Sequence, residues 1–209
     1  MRAATAHLKS TCPRFAAHIQ RVGPCRLSIE RDRDPYEALV RAIAFQQLHG
    51  NAARAILARF VALYPDVPFP TPAQVLSTDD ATMRACGFSA NKTLAIRDIA
   101  AKAAEGVVPS RRAAMRLGDA ALIERLTSIR GVGRWTVEML LMFNLGRKDI
   151  LPVDDFGVRE GYRLLYELDA QPKPRDLAAI GEAWAPYRSV ATWYLWRAAD
   201  QGKTIKQPE

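Results

Sequence analysis

The sequence predicts an all-α protein. Apolar residues recur at helical spacing along the whole chain, Asp, Ser, Thr or Pro stands where most of those runs begin, and no stretch reads convincingly as part of a β-sheet. With 209 residues, 49% of them hydrophobic, the chain can bury a substantial core as one large domain or as two intimate halves.

The elements follow in order. Leu8, Cys12, Phe15 and Ile19 mark a first helical pattern, which Gly23-Pro24 ends. A short extended piece, Arg26 to Ile29, leads to Asp34-Pro35, a strong helix start with Pro at the first helical position. Leu39, Ile43 and Gln46 or Gln47 then lie along related faces, and the end of this helix, Phe45-Gln46-Gln47-Leu48-His49, is richer in amides than a core helix requires. Asn51 is the expected cap of a helix carrying Ala52, Ile56, Phe60 and Leu63, and Thr71-Pro72 starts a short one. After a turn at Cys86-Gly87, Ser89 to Ala103 reads as a helix whose basic face, with Lys92 and Arg97, is solvated or touches a polyanion. Asp119 is the expected cap of the next helix. Further on, Val158, Tyr162, Leu165 and Tyr166 keep helical spacing, Pro172 and Pro174 break it, and Trp184 to Ala199 forms the last helix.

The chemistry is expected between Leu126 and Gly161. Here a helix runs into the turn Gly131-Val132-Gly133, a second helix runs from about Arg134 to Leu145, and Pro152-Val153-Asp154-Asp155 opens a third. Glycines at 131 and 133 permit positive φ and close backbone approach, and the amides that follow open a helix at its positive end. Such a turn is either a plain helical-hairpin turn or an anion site, and a backbone phosphate suits a chain of net charge +8. One aspartate of the pair is needed as a helix cap; the other is available for acid–base or electrostatic work.

Composition narrows the remaining classes. No apolar run is long enough to cross a membrane and no secretory pattern opens the chain, so a soluble, intracellular protein is expected: cytoplasmic, at the nucleoid in a bacterium or in the nucleus of a eukaryote. Thirty Lys and Arg against twenty-two Asp and Glu favour a polyanionic partner held on a folded surface, since there is no basic tail. Cys12, Cys25 and Cys86 are scattered and form neither a disulfide framework nor a metal set. HExxH, a P-loop and a Cys/His cluster are all missing.

The stretches GVGRWTVEMLLMF (131–143) and LPVDDFGVREG (151–161), with DPYEALVRAIAFQQLHGNAA (34–53), GFSANKTLAIRDIA (87–100) and WAPYRSVATWYLWR (184–197), carry a resemblance. In order and spacing they resemble the helix-hairpin-helix DNA glycosylases of base-excision repair, in the 3-methyladenine glycosylase II branch, over nearly all the chain from Asp34. The resemblance implies a single glycosylase module, 1–209, of two helical lobes with the active site in the cleft between them. Residues 35–150 would form one lobe, with the helix-hairpin-helix at about 119–145, and 1–34 plus 151–209 the other.

It also implies roles. Asp155, rather than Asp154, would be the catalytic carboxylate, stabilising oxocarbenium-like charge on the sugar or positioning a water. Trp135, Phe156, Trp196 and Met139 would form the base pocket, the indole face of Trp135 attracting a cationic alkylated purine. Gly131, Val132, Gly133, Arg134 and Thr136 would bind DNA backbone, and Gln47 or Leu48 would plug the gap left by an everted base. Lyase-active relatives carry a lysine where this chain has Trp135, so a monofunctional hydrolase leaving an abasic site is expected. No cofactor is required; a Na+ or K+ ion on the carbonyls of Thr127, Ile129 and Val132 is compatible with the hairpin, and an iron–sulfur cluster is not expected, for no cysteine follows Cys86. The partner would be double-stranded DNA containing 3-methyladenine, 7-methylguanine or similar bases, bound by a monomer. The other class considered is a non-catalytic helix-hairpin-helix protein that binds DNA structure.

Overall fold

The structure, a computed structural model, describes residues 1–205, all of whose regular elements are helical. None of the described helices is long and apolar enough to cross a membrane. The chain forms two compact units, one made of Met1–Ile29 and the chain from Gly146, the other of Glu30–Leu145. The sequence places these divisions at 34/35 and 150/151. Residues 30–33 belong with the second unit because Asn144 donates from Nδ2 to the carbonyls of Glu30 and Arg33, at 3.2 and 2.8 Å, while Glu30 N–H reaches Phe143 O at 2.8 Å.

The first unit opens with α1, Arg2–Thr11, and α2, Pro13–Val22, where the sequence pattern suggests one helix. Pro13 has no amide to give to a continuing helix, and Cys12 before it is extended at φ −162°.

The second unit runs from α3 to α10. α3, Pro35–Phe45, has Pro at its first turn after Asp34; α4, Gly50–Ala62, is capped at His49 and not at Asn51, whose side-chain oxygen accepts instead from Arg54 at 2.6 Å. α5, Pro72–Ser77, starts with a capping box between Thr71 and Gln74, which satisfies two terminal amides reciprocally. α6, Asp80–Ala85, and α7, Ala90–Ala104, are capped by Asp79 and Ser89, and α8, Arg111–Ala114, by Ser110. α9, Asp119–Thr127, has Gly118 as its cap, which leaves Asp119 in the first turn where its charge meets the positive end of the helix. α10, Arg134–Met139, is shorter than expected: from Leu140 to Asn144 the helix widens to a π turn, closed by Leu145 N–H on Leu140 O at 2.9 Å.

The core of this unit gathers on α7, which packs against α3, α5 and α6; its Ile96 and Ile99 are fully buried, as are Leu39, Ile43, Val75 and Met83. The basic face expected on α7 is not solvated. Arg97 sends its guanidinium to the carbonyls of Val75, Leu76 and Thr78, closing α5, and Lys92 likewise turns inward.

The first unit resumes with α11, Phe156–Tyr166, and α12, Pro174–Gly181. Pro174 therefore begins a helix where the sequence reading has a break. Trp184 lies in a 3-10 turn, Glu182–Trp184, buried beside Phe15 and Tyr162, and the last helix, α13, spans Arg188–Ile205. Leu8, Phe15, Ile19, Val158, Tyr162, Leu177, Tyr194 and Leu195 complete this core.

Two features of the first unit fix the start of α11. The loop before it is fastened to α13: Ser189 N–H donates to Lys148 O, Ser189 Oγ bridges Ile150 N–H and Arg147 O, and Arg188 grips Asp149 with two guanidinium bonds of 2.8 Å. Those bonds hold the Asp149 carboxyl below the usual carboxylate range. Secondly, α11 lies unusually near α13, for a methyl group on Gly161 would overlap the Leu195 carbonyl.

Gly161→Ala should therefore force two backbones apart and lower stability by about 3 kcal/mol. Urea unfolding measures it; a loss smaller than about 0.5 kcal/mol, the scale of an ordinary surface change, would show that the helices do not meet there.

Candidate functional site

Of the two adjacent aspartates, the structure separates the roles. Asp154 is exposed in the turn before α11, whereas Asp155 is the N-cap, its Oδ1 accepting Val158 N–H at 2.8 Å. The same Oδ1 accepts the indole N–H of Trp196 on α13 at 2.9 Å. The cap bond and the bond to Trp196 thus fall on one carboxylate oxygen. Charge-assisted bonds from two elements fix where the carboxylate stands. Gly157 makes the second bond feasible: a Cβ there would lie 3.0 Å from Trp196 Cδ1 and 3.2 Å from Asp155 Oδ1. The sequence reading did not single out Gly157.

Phe156, the first residue of α11, is 65% exposed, an unusual state for a large apolar side chain. The three C-terminal tryptophans have separate places. Trp184 is core, Trp193 packs edge-on against Tyr194 with the Arg197 guanidinium over its ring, and Trp196 alone reaches Asp155.

In the other unit, Trp135 is 46% exposed in the first turn of α10 and lines a cavity of about 370 Å³ with Met139, one helical turn on. Ala42, Phe45, Gln46, Gln47 and Thr136 complete the lining, and none of these residues is charged. Phe45 and Ala42, three apart on α3, were missed by the sequence reading. Their helical spacing toward the amide-rich end of α3 was the available signal.

The hairpin itself is tight. Val132 N–H returns to Ile129 O at 3.1 Å, Ile129 and Val132 are buried, and Arg130 N–H is held by Asp98 of α7 at 2.7 Å. Of the glycines only Gly131 has positive φ, +77°; a Cβ there would lie 3.0 Å from that of Ala95. Gly133 caps α10 at φ −86°, with open space around the position a Cβ would take. Thr136 is buried, so only its backbone suits the DNA-binding role. Arg134 projects into solvent, 61% exposed, with its Nε on the buried Glu138 carboxylate at 3.0 Å.

Gln47 and Leu48 are exposed in the turn after α3. Gln47 has φ +56°, and Gln46 Nε2 donates to Gly131 O at 3.2 Å, so the turn and the hairpin are joined. Among the described residues no group of three or more His, Cys, Asp or Glu comes together as a metal site.

A helical hairpin closed by a glycine turn, followed by a proline and an aspartate that caps the next helix, defines a helix-hairpin-helix protein of the DNA-repair type. The chain belongs to the HhH-GPD superfamily of base excision DNA repair proteins, whose family model matches residues 40–186. It is 46% identical over 177 residues to DNA-3-methyladenine glycosylase 1 of Schizosaccharomyces pombe, covering 83% of this chain and 78% of that protein. The solved structure of the 3-methyladenine DNA glycosylase of that yeast, in complex with abasic DNA, superposes with a TM-score of 0.83 at 43% identity, covering 93% of this chain and 95% of that one. A DNA-3-methyladenine glycosidase from Bacillus halodurans gives 0.86 at 32% identity, covering 96% and 91%.

The two glycines of the turn should respond differently to a methyl group. Gly131→Ala should cost about 1 to 2 kcal/mol of stability, because its φ and its packing both resist a Cβ. Gly133→Ala should fold as before yet bind duplexes of every sequence more weakly, its methyl standing where a phosphate would approach the amides of α10. Fluorescence anisotropy on undamaged and damaged duplexes reads this, and unchanged affinity would leave the turn a purely structural element.

Proposed function

We propose that this protein hydrolyses the N-glycosidic bond of alkylated purines in double-stranded DNA, as a monofunctional glycosylase that leaves an abasic site. The observation that carries the reading is the Asp155 carboxylate, fixed by Val158 N–H and the Trp196 indole at the mouth of α11, in a chain with 46% identity to a protein named for 3-methyladenine excision.

In this reading the everted base enters the cavity beside Trp135 and Met139. An N-alkylated purine is a cation, and electron-rich ring faces attract it where a neutral base gains little. The Trp135 ring, set among uncharged lining residues, suits this. The positive charge also makes the base a good leaving group. The bond from C1′ to the base nitrogen breaks with its electron pair leaving on the base, positive charge builds on the sugar, and Asp155 stabilises it. Water then bonds to C1′ and gives up a proton. Trp196 orients Asp155 through its indole N–H, and Phe156 stands exposed next to that carboxylate in the chain.

DNA would be held by the amides from Gly131 to Thr136 with the Arg134 guanidinium, backbone contacts that confer affinity and not sequence preference. Gln47, with Leu48 beside it, would fill the place of the everted nucleotide. The hairpin is also suited to K+ or Na+: Thr127 carries the last carbonyl of α9, and a carbonyl oxygen has two lone pairs, so Ile129 O can accept Val132 N–H and still face an ion. Thr127, Ile129 and Val132 would hold the ion through their carbonyls, and its charge would reinforce the attraction for phosphate.

Asp155→Asn keeps a capping oxygen and a hydrogen-bond partner for Trp196 and removes only the charge. Excision of 3-methyladenine or 7-methylguanine should fall by at least about a hundredfold, with DNA affinity little changed. Asp154→Asn should matter far less. Equal excision by Asp155→Asn would sink the assignment, and a wild-type protein that binds DNA but releases no base would point to the DNA-structure-binding class.

Absence of a lyase step has its own test. Trp135 supplies no amine where lyases have one, so borohydride added during turnover should trap no protein–DNA adduct, and the product strand should break only after alkali. A trapped adduct would show that another lysine attacks C1′.

A further inference from the structure

The turn after α3 holds a conformation its sequence does not favour. Gln47 sits at φ +56°, a region that non-glycine residues other than Asn, Asp and His seldom occupy, and such a residue persists only where its surroundings fix it. Two side chains do so. Lys92, in the first turn of α7, sends its ammonium to the carbonyls of Ala44 at 2.8 Å and Gln46 at 2.7 Å, at the end of α3. Gln46 in turn donates to Gly131 O in the hairpin.

The last carbonyls of a helix are its negative end and lack helical amide partners, so an ammonium with three donors can satisfy two of them at once. Burial of that ammonium pushes Lys92 below the ordinary lysine value. Its charge is spent on the α3 terminus and is not displayed to a phosphate as on a solvated basic face.

We infer that Lys92 is a positioning residue for base eversion: it clamps the end of α3 so that Gln47 stands in its strained, outward geometry before DNA arrives. Gln46 carries the same geometry to the hairpin, so the element that plugs the duplex and the element that grips its backbone are set relative to each other in advance. The inference rests on the reading of the Gln47–Leu48 tip as the wedge. A preformed wedge spares the ordering of a loop at the moment a base is exchanged for a side chain. Lys92 therefore acts on eversion. It leaves alone the affinity for undamaged duplex and the bond cleavage that follows.

The test is a double-mutant cycle with Lys92→Met, which keeps length and removes the charge, and Gln47→Ala. Single-turnover excision of 7-methylguanine is measured together with the fluorescence of a 2-aminopurine beside the lesion, which rises when stacking is broken. Lys92→Met should slow excision about tenfold and diminish the fluorescence rise. Binding to undamaged duplex should stay within about twofold, since phosphate contacts are untouched. Joined to Gln47→Ala it should add no further loss, because both changes disable one device.

A wild-type rate for Lys92→Met alongside a slow Gln47→Ala overturns the positioning role and leaves the wedge standing. Losses that multiply in the double variant overturn it as well. Wild-type rates for both Gln47→Ala and Leu48→Ala remove the wedge, and this inference with it. Should Lys92→Met fail to fold, Gln46→Met cuts the other strut and is read by the same measures: slower excision without added loss over Gln47→Ala supports the clamp, and a wild-type rate overturns it.

Discussion

The approach of α11 to α13 is the constraint on which the first unit depends. Gly157 and Gly161, one turn apart, are the side-chain-free positions that let the two helices come together. At Gly161 backbone meets backbone, and at Gly157 the indole of Trp196 slides in to reach Asp155. The Ser189 and Arg188 bonds then fasten the preceding loop to the same helix. A carboxylate proposed to act on a sugar is thereby held where two helices meet closely, and packed interiors yield little.

The second unit solves its own positioning problem through α7. Ala95 meets the turn at Gly131, Asp98 holds the amide of Arg130, and Lys92 closes α3. One helix with a buried middle thus supports both the hairpin and the amide-rich tip. Side chains that look like surface charge in the sequence are here structural, because the carbonyls left without helical partners at helix ends accept from a cation.

Much of this was legible in the sequence. Helix starts at Pro35, Pro72 and Ser89, the hairpin and the aspartate cap were readable because capping and proline chemistry are local. The misreadings have separate causes. Pro13 and Pro174 end one pattern and open another helix, and a period alone does not distinguish a break from a start. Asn51 was read as a cap although Arg54 takes its side chain, and the helix after Arg134 was read as regular although Asn144 is drawn to the carbonyls of Glu30 and Arg33. For the site, residue types and order were visible, and the partners were not. That Trp196 bonds Asp155 and that Lys92 faces inward depend on tertiary packing, which no local spacing encodes.

The double use of Asp155 as helix cap and proposed catalytic carboxylate has a consequence for how such a chain can diverge. Loss of the charge and loss of the cap are separable only through residues that still offer an oxygen to Val158, such as Asn or Ser. Replacement by an aliphatic residue would abolish the chemistry and also unseat α11. A descendant that abandoned catalysis but kept its shape would therefore be expected to carry a polar capping residue at this position, so the imprint of the former enzyme would persist as a folding requirement after its chemical purpose had gone.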